Sequence, residues 1–238
     1  MRDGGEALWA AGMEVVRKLK EAGFEAYLVG GCVRDRLLGR PLHDVDIATS
    51  ARPDEIAATF ARTIPTGLAH GTVTVLENGR TFEVTTYRTE SGYSDARRPD
   101  RVDFVSDIRE DLARRDFTCN AMAAGLSGEW IDPFGGRSDL AARVIRCVGS
   151  AEQRFGEDAL RMLRALRFAA ELDLTIPPSV WRAIRKQAPR LRFVAMERIG
   201  AEWDKMMGGA GPDRANGLLA RSGLLSWLKE PLPETVSA

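Results

Sequence analysis

From Glu6 to Ala22 the apolar residues Leu8, Val15, Val16 and Leu19 recur with charges between them, a spacing that predicts a surface helix closed by Gly23. The run AYLV at 26–29 predicts a strand, VRDRLLG at 33–39 a helix, and the alternating LHDVDIA at 42–48 a second strand. After Pro53, DEIAATFAR predicts a helix. The stretch PTGLAHGTVTVLENGRTFEVTTYR, 65–88, predicts two alternating strands joined at Asn78-Gly79, a dipeptide that favours a tight hairpin turn. Between Thr89 and Asp103 the sequence is polar, holds Gly92 and Pro99, and shows no period, so a mobile loop is expected there. DPFGGRSDL, Asp132 to Leu140, reads as a rigid connecting turn. From Ala151 onward every strong pattern is helical, with breaks at Pro177-Pro178 and Gly208-Gly209. A mixed sheet carrying helices followed by an all-helical region is therefore expected, with a boundary near residue 140.

A chain of 238 residues that is 44% hydrophobic and 29% charged can bury a proper core in one or two domains. No apolar run approaches the roughly 20 residues of a membrane span, and the N-terminus lacks the order of a signal peptide. A cytoplasmic protein without a membrane partner is expected. Cys32, Cys119 and Cys147 are scattered and form no CxxC pair, which disfavours a disulfide framework or a zinc site.

The net charge is zero but unevenly spread. Residues 1–136 hold 17 Lys or Arg against 22 Asp or Glu, whereas residues 137–198 hold 13 against 7. A phosphate backbone would prefer the second stretch. Arginine makes up 29 of the 34 basic residues, which suits bidentate phosphate recognition and equally fits a GC-rich genome.

The candidate chemistry begins at YLVGGCVRDRLLGRPLHDVDIATS, Tyr27 to Ser50. Asp44 and Asp46, two apart on a predicted strand, point their carboxylates to one side of the sheet. Such oxygens, with positions left for substrate phosphates, suit Mg²⁺. Gly30 and Gly31 stand between strand and helix, where bare backbone can approach a triphosphate, and Arg34 adds a positive charge. Glu83, on the strand TFEVTTYR, is a candidate third catalytic carboxylate or a solvated strand residue. In Arg114–Ala121, RRDFTCNA, two arginines adjoin an acid and an amide. Beside the first signature this reads as phosphate and ribose handling, with Arg115 neutralising triphosphate charge, Asp116 orienting an arginine or a sugar hydroxyl, and Asn120 completing the nucleotide-binding set.

The segment EDALRMLRALRFAA, Glu157 to Ala170, predicts one helix. Ala159, Met162, Leu163, Leu166, Ala169 and Ala170 form its apolar stripe, Asp158, Arg161 and Arg164 share the opposite side, and Arg167 lies further round. As plain helix patterning this is a wet face with ion pairs. Beside a nucleotide site it becomes a base reader. Cytosine and adenine each present an exocyclic amine next to a ring acceptor, which a carboxylate and a guanidinium match, whereas uracil and guanine present the reverse.

In order along the chain, GGCVRDRLLG with DVD, HGTVTV, EVTTYR, RRDFTCNAMA, DPFGG, EDALRMLRALRFA and ERIGAEW resemble the class II tRNA nucleotidyltransferases. These are the CCA-adding and poly(A) polymerase branch of the polymerase β nucleotidyltransferase superfamily. The resemblance implies an α/β (α+β) head with a mixed β-sheet of polymerase β nucleotidyltransferase type over residues 1–140, followed by an all-α neck over 141–238. It implies Mg²⁺ on Asp44 and Asp46, nucleotide contacts from Gly31, Arg34, Arg115, Asp158, Arg161, Arg164 and Arg167, and a loop after Tyr87 that helps switch from CTP to ATP. The implied partners are CTP, ATP and the 3′ acceptor end of tRNA; no segment points to a protein partner. The implied activity is addition of CMP, CMP and AMP to tRNA. CC-adding, A-adding or poly(A) activity, and an RNA-binding module with little turnover, are the alternatives. Relatives usually continue into body and tail domains that grip the tRNA elbow. This sequence stops soon after the neck, as a compact form or a fragment.

Overall fold

The computed structural model describes residues 2–92 and 101–232. The chain divides into two compact units, the first built from residues 1–91 and 101–137, the second taking up the chain at Ser138.

The first unit opens with α1 (Arg2–Glu21), β1 (Ala26–Val29), α2 (Gly31–Leu37), β2 (Asp46–Thr49) and α3 (Pro53–Thr59). Then come β3 (Thr63–Gly67), β4 (Thr72–Glu77), β5 (Arg80–Thr86), β6 (Arg88–Ser91), β7 (Arg101–Phe104) and α4 (Ile108–Ala113). The short strands β8 (Ala123–Ala124) and β9 (Trp130–Ile131) complete it. Seven strands form one sheet in the order β3-β4-β5-β2-β1-β8-β9. Only β2 and β5 run parallel; every other pairing is antiparallel, so the sheet is mixed as the sequence pattern implies. Trp9, Val15, Val16 and Leu19 of α1 are buried together with Leu28 and Val29 of β1 and Ile47 of β2, which is why the amphipathic opening helix lies on the sheet.

The hairpin forms where Asn78-Gly79 requires it. Glu77 pairs with Arg80, and the two turn residues have φ of 50° and 73°, the left-handed conformation that Asn and Gly adopt at least cost. Three expectations are corrected. A further strand, β3, precedes the hairpin; Pro65 is tolerated because β3 is at the sheet edge. The stretch 89–103, read as a loop, carries strand at both ends: β6 and β7 pair antiparallel from Arg88–Phe104 to Ser91–Arg101, while residues 93–100 lie outside the described residues. DPFGGRSDL is a turn only in its first half, since α5 (Gly136–Ala141) begins within it.

The second unit is helical: α6 (Ala151–Glu157), α7 (Leu160–Glu171), α8 (Pro178–Gln187), α9 (Met196–Gly208) and α10 (Pro212–Ser222). Phe155, Met162, Leu163, Leu166, Phe168, Ile184, Ile199 and Leu219 make its core. The segment Glu157–Ala170 is not one helix. Asp158 has φ −142° and ψ 108°, an extended conformation that ends α6 and lets α7 start afresh. No described helix is long and apolar enough to cross a membrane.

Candidate active site

The sheet and its flanking turns bring three predicted residues of the first unit together. Gly30 follows β1 and precedes α2 at φ 77°, outside the range comfortable for other residues, and a Cβ there would fall 3.0 Å from Arg115 Nη1 and 3.8 Å from Asp46 Oδ2. The bare backbone thus forms a cradle whose walls are one guanidinium and one carboxylate. Asp46 opens β2, directly opposite Val29 of β1 and Glu83 of β5. Asp44 is not on the strand. It lies in the lead-in, but the alternation persists, with Val45 buried between exposed Asp44 and Asp46.

Protein surrounds Asp46 even though one face is open to solvent. This desolvation, joined by the charge of Asp44 and opposed by Arg115, with a smaller push from Glu83, raises its pKa to about 6. Two mutually repelling carboxylates with open coordination positions are suited to a divalent cation shared with substrate phosphates. Among the described residues no group of three or more His, Cys, Asp or Glu side chains could hold a metal through protein ligands alone. Glu83 therefore stands beside the pair without completing such a cluster. Cys32 is buried behind it, its thiol donating to the Val29 carbonyl at 3.2 Å, and burial pushes its pKa up to about 12.

The arginines are held rigidly. Arg34 is buried; its Nη1 donates to Asn120 Oδ1 at 2.7 Å, and Nε and Nη2 grip Asp35 at 2.9 and 2.8 Å. Asn120 in turn donates through Nδ2 to Asp116 Oδ1 at 3.1 Å, which also accepts the Phe117 N–H at 2.8 Å. Asp116 thus acts through an amide that orients Arg34. Arg115 donates to Asp111 Oδ2 at 3.2 Å and to the Asn120 carbonyl at 3.4 Å, while its buried Nε has no partner among the described residues. Gly31 lies at the start of α2 with Arg34 Nη2 nearby, 3.7 Å from where its Cβ would be.

Asp111 was not singled out from the sequence, although its spacing four residues before Arg115 is a legible signal. It is fully buried and also accepts from Arg114 Nε at 2.9 Å and Nη2 at 2.8 Å and from the Arg88 N–H at 3.3 Å. Burial raises its pKa, but the Arg114 and Arg115 charges and hydrogen bonds together outweigh that and hold it below the ordinary carboxylate range. A depressed folded-state pKa stabilises the fold above the unfolded value of about 4 and ceases to do so as pH falls through the folded value. Asp111→Asn should therefore cost about 3 kcal/mol at pH 7, because it removes the buried negative charge that Arg114 and Arg115 share and leaves Arg114 its second acid, Glu90. Urea unfolding should show that the difference from the wild type shrinks only below about pH 4.

In the second unit the predicted base-reading residues are placed differently from the single-helix expectation. Asp158 precedes α7 and caps it, Oδ1 accepting the Leu160 N–H at 3.0 Å. Its carboxylate is also gripped by Arg198 of α9, with Nη2–Oδ2 at 2.7 Å and Nη1–Oδ1 at 3.3 Å. Arg161 turns to Glu157 Oε2 at 2.7 Å, and Arg167 to Glu202 Oε1 at 2.6 Å and Glu171 Oε2 at 2.9 Å. Arg164 lies over the Phe168 ring at 5.3 Å. Arg198 was missed; it is forty residues from Asp158, and no local pattern links the two.

A family model described as "Poly A polymerase head domain" matches residues 26–146, which spans the cradle, β2 and the Arg115–Asn120 turn. The chain belongs to that family. A second model, "Probable RNA and SrmB- binding site of polymerase A", matches residues 173–236. The chain is 52% identical over 206 residues to a CCA-adding enzyme of Lactiplantibacillus plantarum, covering 87% of this chain and 51% of that one. It is 51% identical over 214 residues to a CCA-adding enzyme of Geobacillus stearothermophilus, covering 90% and 53%. A crystal structure of the Bacillus stearothermophilus CCA-adding enzyme in complex with CTP matches with a TM-score of 0.86 and 48% identity, over 92% of this chain and 53% of that one. A Thermotoga maritima CCA-adding enzyme complexed with tRNA matches with a TM-score of 0.76 and 26% identity, over 91% and 51%. The chain thus spans about half the length of these relatives.

Proposed function

We propose that this chain performs template-independent nucleotidyl transfer, adding CMP, CMP and then AMP to the 3′ end of tRNA from CTP and ATP with release of pyrophosphate. The observation that carries the reading is the cradle itself, where Gly30 backbone, Arg115 and Asp46 converge in a chain more than 50% identical to CCA-adding enzymes. In this reading residues 1–140 are the head and residues 141–238 the neck, and a tRNA substrate places the protein in the cytoplasm.

Asp44 and Asp46 hold Mg²⁺, which when bound offsets charge on the phosphates and favours the ionised terminal hydroxyl of the RNA. The protein's own residues do the positioning. Gly30 and Gly31 admit the triphosphate against bare backbone, and Arg115 and Arg34 fix its oxygens through guanidinium groups already oriented by Asp111 and Asn120, so little ordering remains to be done on binding. Glu83, opposite Asp46 on β5, is a candidate acceptor for the proton of the attacking hydroxyl.

Asp158 and Arg161 read the base edge, the carboxylate accepting from the exocyclic amine of cytosine or adenine and the guanidinium donating to the ring nitrogen. Arg198 keeps Asp158 aimed, and Glu157 does the same for Arg161. Arg164 and Arg167 complete the nucleotide-binding set. Asp158→Ala should relax discrimination against UTP by about 10- to 100-fold, the worth of one or two unpaired polar contacts. Competing labelled CTP and UTP on one tRNA measures it, and unchanged rejection of UTP would remove Asp158 from base reading.

The deciding experiment supplies tRNAs ending before CCA, after C and after CC with Mg²⁺ and each labelled NTP, singly and with CTP and ATP together, and resolves products at single-nucleotide length. Completion to CCA is expected. C-only, A-only or long poly(A) products would replace the reading by the corresponding narrower activity, and tRNA binding without product would leave an RNA-binding module.

A further inference from the structure

In the first unit the guanidinium groups of Arg88, Arg114 and Arg115 share the carboxylates of Glu90 and Asp111 in one continuous cluster. Arg88 and Glu90 are two apart on β6 and so face the same side, with Arg88 Nη2 2.8 Å and Nε 2.9 Å from Glu90 Oε1. The same oxygen accepts from Arg114 Nη1 at 3.0 Å. Both acids are withdrawn from water, the side chain of Glu90 being 8% exposed and that of Asp111 1%. Burial, and after it the Arg114 charge, lower the pKa of Arg88, with Glu90 opposing them. Glu90 thus holds together two cations that repel each other.

The two oxygens of Asp111 are divided between its neighbours. Oδ1 accepts from Arg114 Nε at 2.9 Å and Nη2 at 2.8 Å and from the Arg88 N–H at 3.3 Å, whereas Oδ2 accepts from Arg115 Nη2 at 3.2 Å. Arg115 has little else to fix it. Its contact with the Asn120 carbonyl is long, at 3.4 Å, and its buried Nε has no partner among the described residues. The hold on Arg115, the guanidinium that walls the Gly30 cradle, therefore depends on how much of Asp111 the other cations take. Glu90 sets that division by carrying part of the Arg88 and Arg114 charge. Without its charge both cations would turn to Asp111, and in so dry a cluster that attraction would draw the carboxylate away from Arg115.

We propose that Glu90 is a positioning residue for the triphosphate site: by neutralising Arg88 and Arg114 it reserves Asp111 Oδ2 for Arg115 and keeps that guanidinium against the Gly30 cradle. It rests on the reading above that Arg115 binds the triphosphate. Because the triphosphate is common to CTP and ATP, Glu90 acts on both nucleotides alike and not on base choice.

The test measures CTP and ATP binding to the full chain with Mg²⁺ by calorimetry, beside KM and kcat for CTP on tRNA lacking CCA and for ATP on tRNA ending in CC. Glu90→Gln should raise Kd and KM for both nucleotides by about three- to tenfold, the worth of ordering one long side chain, while kcat stays within about twofold. Glu90→Gln/Arg114→Gln removes the competing cation as well and should recover most of the affinity for both, whereas simple damage to the fold would be compounded. Unchanged affinities in Glu90→Gln, a loss confined to one of the two nucleotides, or a double variant weaker than the single would overturn the proposal. Binding is read apart from turnover, so a wild type that binds both nucleotides and transfers neither would count against the proposed activity and leave this test standing. A wild type that binds neither would overturn both.

Discussion

Asp46→Ala should abolish nucleotidyl transfer, by on the order of 10³-fold or more, while CTP binding survives in part. The carboxylate opens β2 beside the Gly30 cradle and Arg115, and losing a cation that stabilises transferring phosphate oxygens costs several kcal/mol of transition-state stabilisation. The triphosphate would still meet Arg34 and Arg115, whose orientation depends on Asn120 and Asp111 and not on Asp46. The same substitution should not lower the unfolding midpoint at pH 7.5. Asp46 is raised to about 6, so at that pH the fold holds its ionised form against desolvation and the Asp44 charge, and alanine removes the conflict. Single-turnover incorporation and thermal unfolding check the two halves; near-normal turnover would remove Asp46 from the metal site, and a collapsed midpoint would make its role structural.

Gly136→Ala should be the most damaging change to the fold of the first unit. A Cβ at Gly136 would lie 2.2 Å from the Thr118 carbonyl oxygen, 2.8 Å from its carbon and 2.9 Å from Met122 Sδ. Backbone cannot yield as a flexible side chain would, so the turn must move. Asp132 fixes the glycine from the other side, its two oxygens accepting the Gly136 N–H at 2.7 Å and the Arg137 N–H at 3.0 Å. We expect a loss of about 3 kcal/mol, or roughly 10 °C in the unfolding midpoint. Because Thr118 and Asn120 share one 3₁₀ turn, nucleotide affinity should fall with it. Gly135→Ala, next door, has open space but φ of 74°, so it should cost only about 1 kcal/mol. Equal midpoints for the two variants would refute the steric account.

The site was legible to different degrees. Asp44, Asp46, Gly30 and Arg115 could be singled out because each sits in a short stretch with its own signature, and the structure brings Gly30, Asp46 and Arg115 within a few ångströms. The strands β6, β7, β8 and β9 were not legible. They have two to four residues each, too few for a period to emerge, and owe their conformation to partners elsewhere in the chain. The break at Asp158 was hidden for a different reason. Its flanks share one helical period, and the extended residue between them is held by its own cap on Leu160 and by Arg198.

By itself the sequence determined the mixed-sheet and helical fold class, the Asn78-Gly79 hairpin, the family and most candidate site residues. These depend on local periodicity, on turn residues with restricted φ, and on residue types whose chemistry is fixed wherever they stand. Tertiary structure alone decided what each charged group faces: that Asp111 anchors Arg115 and that Arg198 holds Asp158. The energy of a charge depends on its neighbours within a few ångströms and on the water it has lost, and neither is a property of the order of residues along the chain.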